Sequence, residues 1–391
     1  IFQTNRVSAM ASTVAYYQIE QRSTVSKIIA VQKINPTTVE IVYDNNQRLT
    51  LDFYGNHIFR MFQDIHGGII RDPEAKPDAK ILVEHPRKAV DNLEVKDDGS
   101  KAIITTKDII FSIDKQTSQF SILNRNTNKV VVESLKPIAF ESKQVSLELK
   151  ENKDEYFFGG GVQNGRFSHK GKAIAIENQN SWTDGGVASP TPYFWSTNGY
   201  GFMWHTFKKG NYAFGTKPKG TVKLAHDTDY LDVFFMINDG TVSLLNDFYQ
   251  LTGNPILLPK FGLYEGHLNA YNRDFWKEDE KGILFEDGKR YKESQKDNGG
   301  TKESLNGEKG NYQFSARAVI DRYKAHDMPL GWILPNDGYG AGYGQTETLD
   351  GNIDNLKEFG NYARKNGVEI GLWTQSDLHP KDSISALLQR D

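Results

Sequence analysis

The feature that most constrains this chain is a change of period near its middle. From about Tyr17 to Phe140, apolar and polar residues alternate in "KIIAVQKI", "TVEIVYD", "RLTLDFYG", "HIFRMFQD", "KAIITTKDIIFSIDK" and "QFSILNR". A period of two turns one side of a strand to a core and the other to water. Turn signals such as Asp98-Gly99 separate the segments, and a second set follows in "DEYFFGGG", "YGFMWHTF", "NYAFGT" and "DYLDVFFMI". An antiparallel β-sandwich, extending to about Asn238, accounts for this pattern most economically. "TVSLLNDFYQLTG" then switches to a helical period, and the run Thr252-Gly253-Asn254-Pro255 stops it.

After Pro259 the chain obeys a different rule. "KFGLYEG" predicts a strand from Lys260, ending on Glu265, Gly266 and His267. "YQFSARAVIDRYKAHD" predicts a helix, "MPLGWILPND" a strand, "NIDNLKEFGNYARKNG" a helix and "VEIGLWTQSD" a third strand. Strand and helix in alternation describe a parallel α/β unit, either the opening of a (β/α)8 barrel or a doubly wound sheet. A complete barrel takes about 250 residues, and Lys260 to Asp391 supplies roughly half of that. The expected organisation is therefore multidomain: an N-terminal antiparallel β-sandwich with its connecting helix over 1–258, followed by the first three units of a (β/α)8 TIM barrel over 259–391. An excursion at about 272–311, "NRDFWKEDEKGILFEDGKRYKESQKDNGGTKESLNGEKG" with its flanks, is longer than an ordinary βα loop. Its Gly, Asn, Lys and Glu content predicts an exposed segment, which by its position is either a loop over the C-terminal strand ends, where substrates bind, or a plain surface insertion.

Composition narrows the partners. A formal charge of −3 without a concentrated basic face argues against nucleic acid. The longest apolar runs have strand length, so no membrane span is expected. With no cysteine in 391 residues, disulfides and thiolate chemistry are excluded. No closed metal-ligand spacing occurs, and neither metal nor cofactor is expected.

Strand ends are where this architecture collects functional groups. They offer Glu265, His267 and Asn269; Asn336, Asp337 and Tyr339; and Trp373, Gln375, Asp377 and His379. Carboxylates and amides hydrogen-bond sugar hydroxyls, and flat aromatic rings stack on pyranose C–H faces, so the set suits a sugar better than a phosphate. Asp337 is the leading candidate for substrate contact, against a capping role in its loop. "FFGGGVQNGRF" lacks the Lys and Ser of a P-loop and reads as a tight turn, with Gln163, Asn164 and Arg166 available to a neighbouring cleft. In "NSWTDGGVASPTPYFWSTNGYGFMW", core packing explains most aromatics, while Trp182 and Asp184 suit a loop leaning over the barrel mouth.

In chain order, four landmarks resemble glycoside hydrolase family 31, the retaining α-glycosidases: "FFGGGVQNG"; "WTD" followed by "TPYFWSTNGYGFMW"; "LLNDFYQLTGNPILLPKFGL"; and the strand beginning at Pro329. The likeness extends from about Lys27 to Asp391 and implies a β-sandwich, then a (β/α)8 barrel. By that resemblance Asp184 corresponds to the acid that an N-terminal loop lends to the active site. Asp337 corresponds to the acid that ends the second barrel strand and holds sugar hydroxyls. Glucosidases of the family show an Asp-x-Asp pattern there; this chain has "LPNDGYG", so Asn336 or Asp337 fills the role. Gln163 stands where many members carry Glu. Together with the long excursion, these departures look more like the bacterial α-N-acetylgalactosaminidase branch. α-Glucosidase, α-xylosidase and α-galactosidase activities are the alternatives within the family, and a non-catalytic carbohydrate-binding sandwich is the alternative outside it.

The family mechanism is double displacement by two carboxyls about 5 Å apart. The resemblance puts the nucleophile after the fourth strand and the acid/base near the sixth, both beyond Asp391. No catalytic residue is therefore assigned within the chain, which alone is expected to be inactive. Its expected partners are a glycan or glycoconjugate and the remaining C-terminal portion of the same enzyme. The expected location is extracellular or at a bacterial cell surface.

Overall fold

The computed structural model describes residues 26–64, 81–268, 274–335 and 353–372. The chain divides into two compact units between Pro255 and Ile256.

The first unit is built on an eight-stranded antiparallel sheet. Its order is Ile28–Asn35, Thr38–Tyr43, Arg48–Phe53, Ile58–Asp64, Tyr230–Ile237, Tyr200–Trp204, Val187–Ser196 and Phe157–Gln163. Two five-stranded antiparallel sheets cover one face. The meander from Glu94–Asp97 to Lys129–Glu133 packs through Phe111 and Phe120 onto Phe59 and Phe235. The other, which includes Gly210–Phe214 and Thr221–His226, packs through Phe214 onto Phe157, with ring centroids 4.6 Å apart. The opposite face carries Ile58, Tyr193, Met203, Phe234 and Met236, and helix α1 (Thr241–Thr252) covers it with Leu244 and Leu251. Burial on both faces explains why "YLDVFFMI" reads as a continuous apolar run: Phe235 faces the sheets and Phe234 the helix.

One ionic group lies inside this layer. Arg60 donates from Nε and Nη2 to the two oxygens of Asp232, both at 2.6 Å, and His205 Nδ1 lies 3.2 Å from the same carboxylate. Both Arg60 and Asp232 are fully buried. Helix α1 ends where its sequence says it should. Gly253 has φ 88° and donates its N–H to Tyr249 O at 2.8 Å, a backbone conformation that glycine adopts without Cβ strain.

The second unit holds three parallel strands in the order Glu265–Leu268, Leu330–Leu334 and Glu369–Ile370. Helices α2 (Ala316–Ala325) and α3 (Ile353–Lys365) cover one face. Ala316, Ile320, Phe359 and Ala363 close on Ile333 and Val368 in a small core. Ser315 caps α2 by accepting the N–H of Ala318, and Gly367, at φ 76°, follows α3.

Two expectations shift. The first strand does not begin at Lys260: Lys260–Leu263 forms a 3-10 turn, closed by Gly262 N–H to Pro259 O at 2.9 Å, and the strand starts at Glu265. Glu265 and Gly266 thus open the strand instead of ending it. The excursion is also more than an exposed loop. Phe275–Leu284, Arg290–Ser294 and Thr301–Lys302 form a three-stranded antiparallel sheet. Its aromatic residues gather on Phe314, with Trp276 stacked at 5.6 Å and Phe285 and Tyr291 each at 5.0 Å. Charged composition had masked those four rings, which supply a core of their own.

Candidate functional site

In the first unit the candidate surface is a pair of interlocked loops. The strand Phe157–Gln163 shifts register twice against Val187–Ser196, and Gly159, Gly160 and Gly161 all take positive φ. A Cβ on Gly161 would lie 2.1 Å from Ser189 O, so only glycine lets the two backbones approach this closely. The following turn is then bonded to the 180–186 loop. Asn164 donates its N–H to Gly186 O at 3.0 Å and accepts from Gly185 N at 2.9 Å, while its side-chain amide donates to Ser181 O at 2.7 Å. Arg166 reaches Ala173 O at 2.9 Å and Gly185 O at 3.2 Å. Gln163 is buried and donates to Gly160 O and Ala175 O. Asn164 and Arg166 therefore hold the loops together, while Gln163 ties its own strand to Lys172–Ile176.

Two sequence candidates stand on that support. Trp182 is 73% exposed, with its indole N–H donating to Asn180 Oδ1 at 3.1 Å. Asp184 is exposed, and its carboxylate lies over Gly165, where a Cβ would come within 1.4 Å of Oδ1. Asp184 forms neither a hydrogen bond nor an ion pair through this carboxylate among the described residues. Phe167, 87% exposed, leans edge-on against Phe158 at 5.5 Å. The loop pair thus presents two open aromatic rings and a free carboxylate on a braced backbone, which suits stacking and hydroxyl recognition. Tyr193, by contrast, is core: it stacks on Phe248 at 4.0 Å.

In the second unit the parallel strands decide which way each candidate faces. His267 pairs with Ile333, and both turn to the helix-covered side. His267 Nδ1 lies 3.2 Å from Tyr323 Oη on α2, and the two rings meet edge to face at 5.6 Å. Burial, reinforced by the Arg322 guanidinium, lowers its pKa from the ordinary imidazole value and favours the neutral ring. His267 thus makes a strand-to-helix contact. The face away from the helices carries Trp332, whose ring lies where a Cβ of Gly266 would be, 2.3 Å from Cε2. Trp332 was not among the sequence candidates; period-two alternation within "LGWIL" places it on the face opposite Ile333. Asn336, Asp337, Trp373 and Asp377, like Asn269, Tyr339, Gln375 and His379, lie outside the described residues. Among the described residues, no group of three or more His, Cys, Asp or Glu side chains is placed to hold a metal ion. No described helix is long and apolar enough to cross a membrane.

Residues 48–212 match the family model of the glycosyl hydrolase 31 N-terminal galactose mutarotase-like domain. No curated protein matches the chain. Among solved structures, the chain is similar to a family 31 dextranase of Flavobacterium johnsoniae, with TM-score 0.69 and 17% identity over 90% of this chain and 38% of that one. A family 31 α-xylosidase from a soil metagenome, complexed with xylose, gives TM-score 0.67 and 14% identity over 93% of this chain and 49% of that one. The cycloalternan-forming enzyme of Listeria monocytogenes gives 0.66 and 14% over 94% and 34%. The chain thus spans between a third and a half of the length of these structures, and at such identities the shared property is the fold.

Proposed function

We propose that this chain, whose residues 48–212 match the glycosyl hydrolase 31 N-terminal domain model, is the N-terminal portion of a retaining, exo-acting α-glycoside hydrolase of that family. The observation that carries the reading is the order of parts: a matched sandwich domain, then a helix, then parallel βα units with the fold of family 31 enzymes. A binding module has no need of such units.

In this reading the glycosidic bond is cleaved by double displacement between two carboxyls about 5 Å apart, supplied by later barrel strands: one attacks the anomeric carbon while the other protonates the leaving oxygen and then activates water to release the sugar. The residues of this chain bind and orient. Asp337 or Asn336 takes sugar hydroxyls at the end of the second strand, Trp373 and Asp377 serve at the third, and Trp182 and Asp184 contribute from the loop pair. His267 acts indirectly, by fixing the first strand to α2. The finer proposal is that the sugar is α-linked N-acetylgalactosamine on a glycan or glycopeptide, outside a bacterial cell. It rests on "LPNDGYG", on Gln163 and on the excursion between the first strand and α2.

The test is hydrolysis of nitrophenyl α-glycosides by the intact polypeptide, including whatever follows Asp391. Turnover of the α-N-acetylgalactosaminide above the glucoside, xyloside and galactoside is expected. Preference for another of these sugars would overturn the finer proposal, and turnover of none would overturn the activity itself. The 391-residue chain alone should hydrolyse nothing; measurable turnover by it would refute the assignment of both catalytic carboxyls to later strands.

A further inference from the structure

We infer that the first unit carries a second carbohydrate-binding pocket, separate from the Trp182 and Asp184 loops, that holds a neutral mono- or disaccharide. The structure contains a cavity of about 390 Å³ among the Lys129–Glu133 strand, the turn after Val187–Ser196 and the start of α1. That volume is at the small end of the roughly 300–1,000 Å³ range of ligand pockets.

Its wall includes an aromatic pair. Phe158 and Trp195 are both half-buried and stack on each other at 4.5 Å with an interplanar angle of 21°, so each keeps one face for a ligand. Around them are polar groups whose capacity is only half used. Asn198, 6% exposed, donates its amide to Val131 O at 2.6 Å, and its side-chain carbonyl has no donor among the described residues. Asn124, 4% exposed, accepts from Asn126 N and Thr127 N through Oδ1, and its amide protons have no acceptor among the described residues. The start of α1 has no side-chain cap, so backbone N–H donors remain at the cavity edge.

This donor and acceptor set around an aromatic face selects the ligand. A purely apolar ligand would desolvate both buried amides and pair neither. A phosphate would meet Asp239 as well as Lys129, which lie on the same rim and leave no net positive field. A pyranose satisfies both demands, with C–H faces for the aromatic pair and hydroxyls for the amides. The pocket lies wholly within the first unit, so it stands whether or not the glycosidase reading does.

The experiment is calorimetric titration and saturation-transfer NMR on the 391-residue chain, with methyl α-glucopyranoside and methyl α-N-acetylgalactosaminide as probes. Binding of either sugar with a dissociation constant on the order of millimolar is expected. Thr241→Glu puts a longer side chain at the mouth while suiting a helix N-terminus; it should keep the fold by circular dichroism and weaken binding at least about fivefold. Trp195→Ala should weaken it similarly, but that half-buried ring also packs against the core, so Thr241→Glu is the deciding variant. Absence of binding for both sugars would overturn the inference. So would binding that survives Thr241→Glu, and its disappearance in Trp182→Ala would then locate the sugar on the loop pair.

Discussion

His226 and His57 show how similar side chains acquire opposite pH behaviour. His226 is fully buried, donates from Nδ1 to Lys208 O at 2.9 Å, and so accepts at Nε2 from Tyr212 Oη, also 2.9 Å away. Burial pushes its pKa down to about 4. An unfolded chain binds a proton on this ring near pH 6.5 and the folded one does not. Stability is therefore fully present above about 6.5 and falls as the pH drops toward 4, by about 3 kcal/mol in total. His57 lies between Asp247, 2.9 Å from Nε2, and Asp108, 3.3 Å from Nδ1. Burial opposes its charge, but the two carboxylates outweigh burial and raise its pKa. Its contribution is full below the ordinary imidazole value and is lost as the pH rises through the raised one. Urea unfolding of the first unit across pH 4–9 should show both slopes. His57→Gln should flatten only the alkaline one; an unchanged alkaline slope in that variant would remove His57 as its source.

At the scale of elements, the excursion is the instructive case. Its strands fold because Trp276, Phe285, Tyr291 and Phe314 meet, and α2 secures them: Arg322 bonds Glu286 and stands 5.0 Å over the Phe285 ring. Phe314→Ala should cost about 3–5 kcal/mol locally, since it removes the ring that the others share. Amide exchange in Phe275–Leu284 and Arg290–Ser294 should accelerate while the first unit stays protected; equal protection in variant and parent would refute the shared-core account. Strands and helices were legible wherever their period was strong, as in "RLTLDFYG" or "SARAVIDRYKA". The excursion was not, because charged runs such as "WKEDEKG", with five charged residues in seven, outweighed four rings spread over about 40 positions. Likewise, nothing in "KFGLYEG" distinguishes a 3-10 turn from a strand. That choice depends on a register in which Glu265 pairs with Leu330.

At the scale of the whole molecule, two units with separate cores predict separate fates. The segment joining them is open: Ile256 is 87% and Leu257 93% exposed. Limited proteolysis of the 391-residue chain should cut near these residues and release a folded fragment ending close to Pro255. Persistence of a single uncut species at protease levels that degrade loops elsewhere would contradict this. The Arg60–Asp232 pair belongs to the same first unit, and it is a reason for that unit to unfold cooperatively: loss of either partner would leave a buried charge uncompensated.

What the sequence determined by itself was the succession of periods, hence a sandwich, a connecting helix and the first parallel strands, because alternation and helix caps are local properties of neighbouring residues. What only the tertiary structure decided was direction and use. His267 turns to Tyr323, Asn164 and Arg166 tie two loops together, and Trp332 lies over Gly266. The physical reason is the same in each case: a side chain's partner is set by the element packed against it, and that element is distant in the chain.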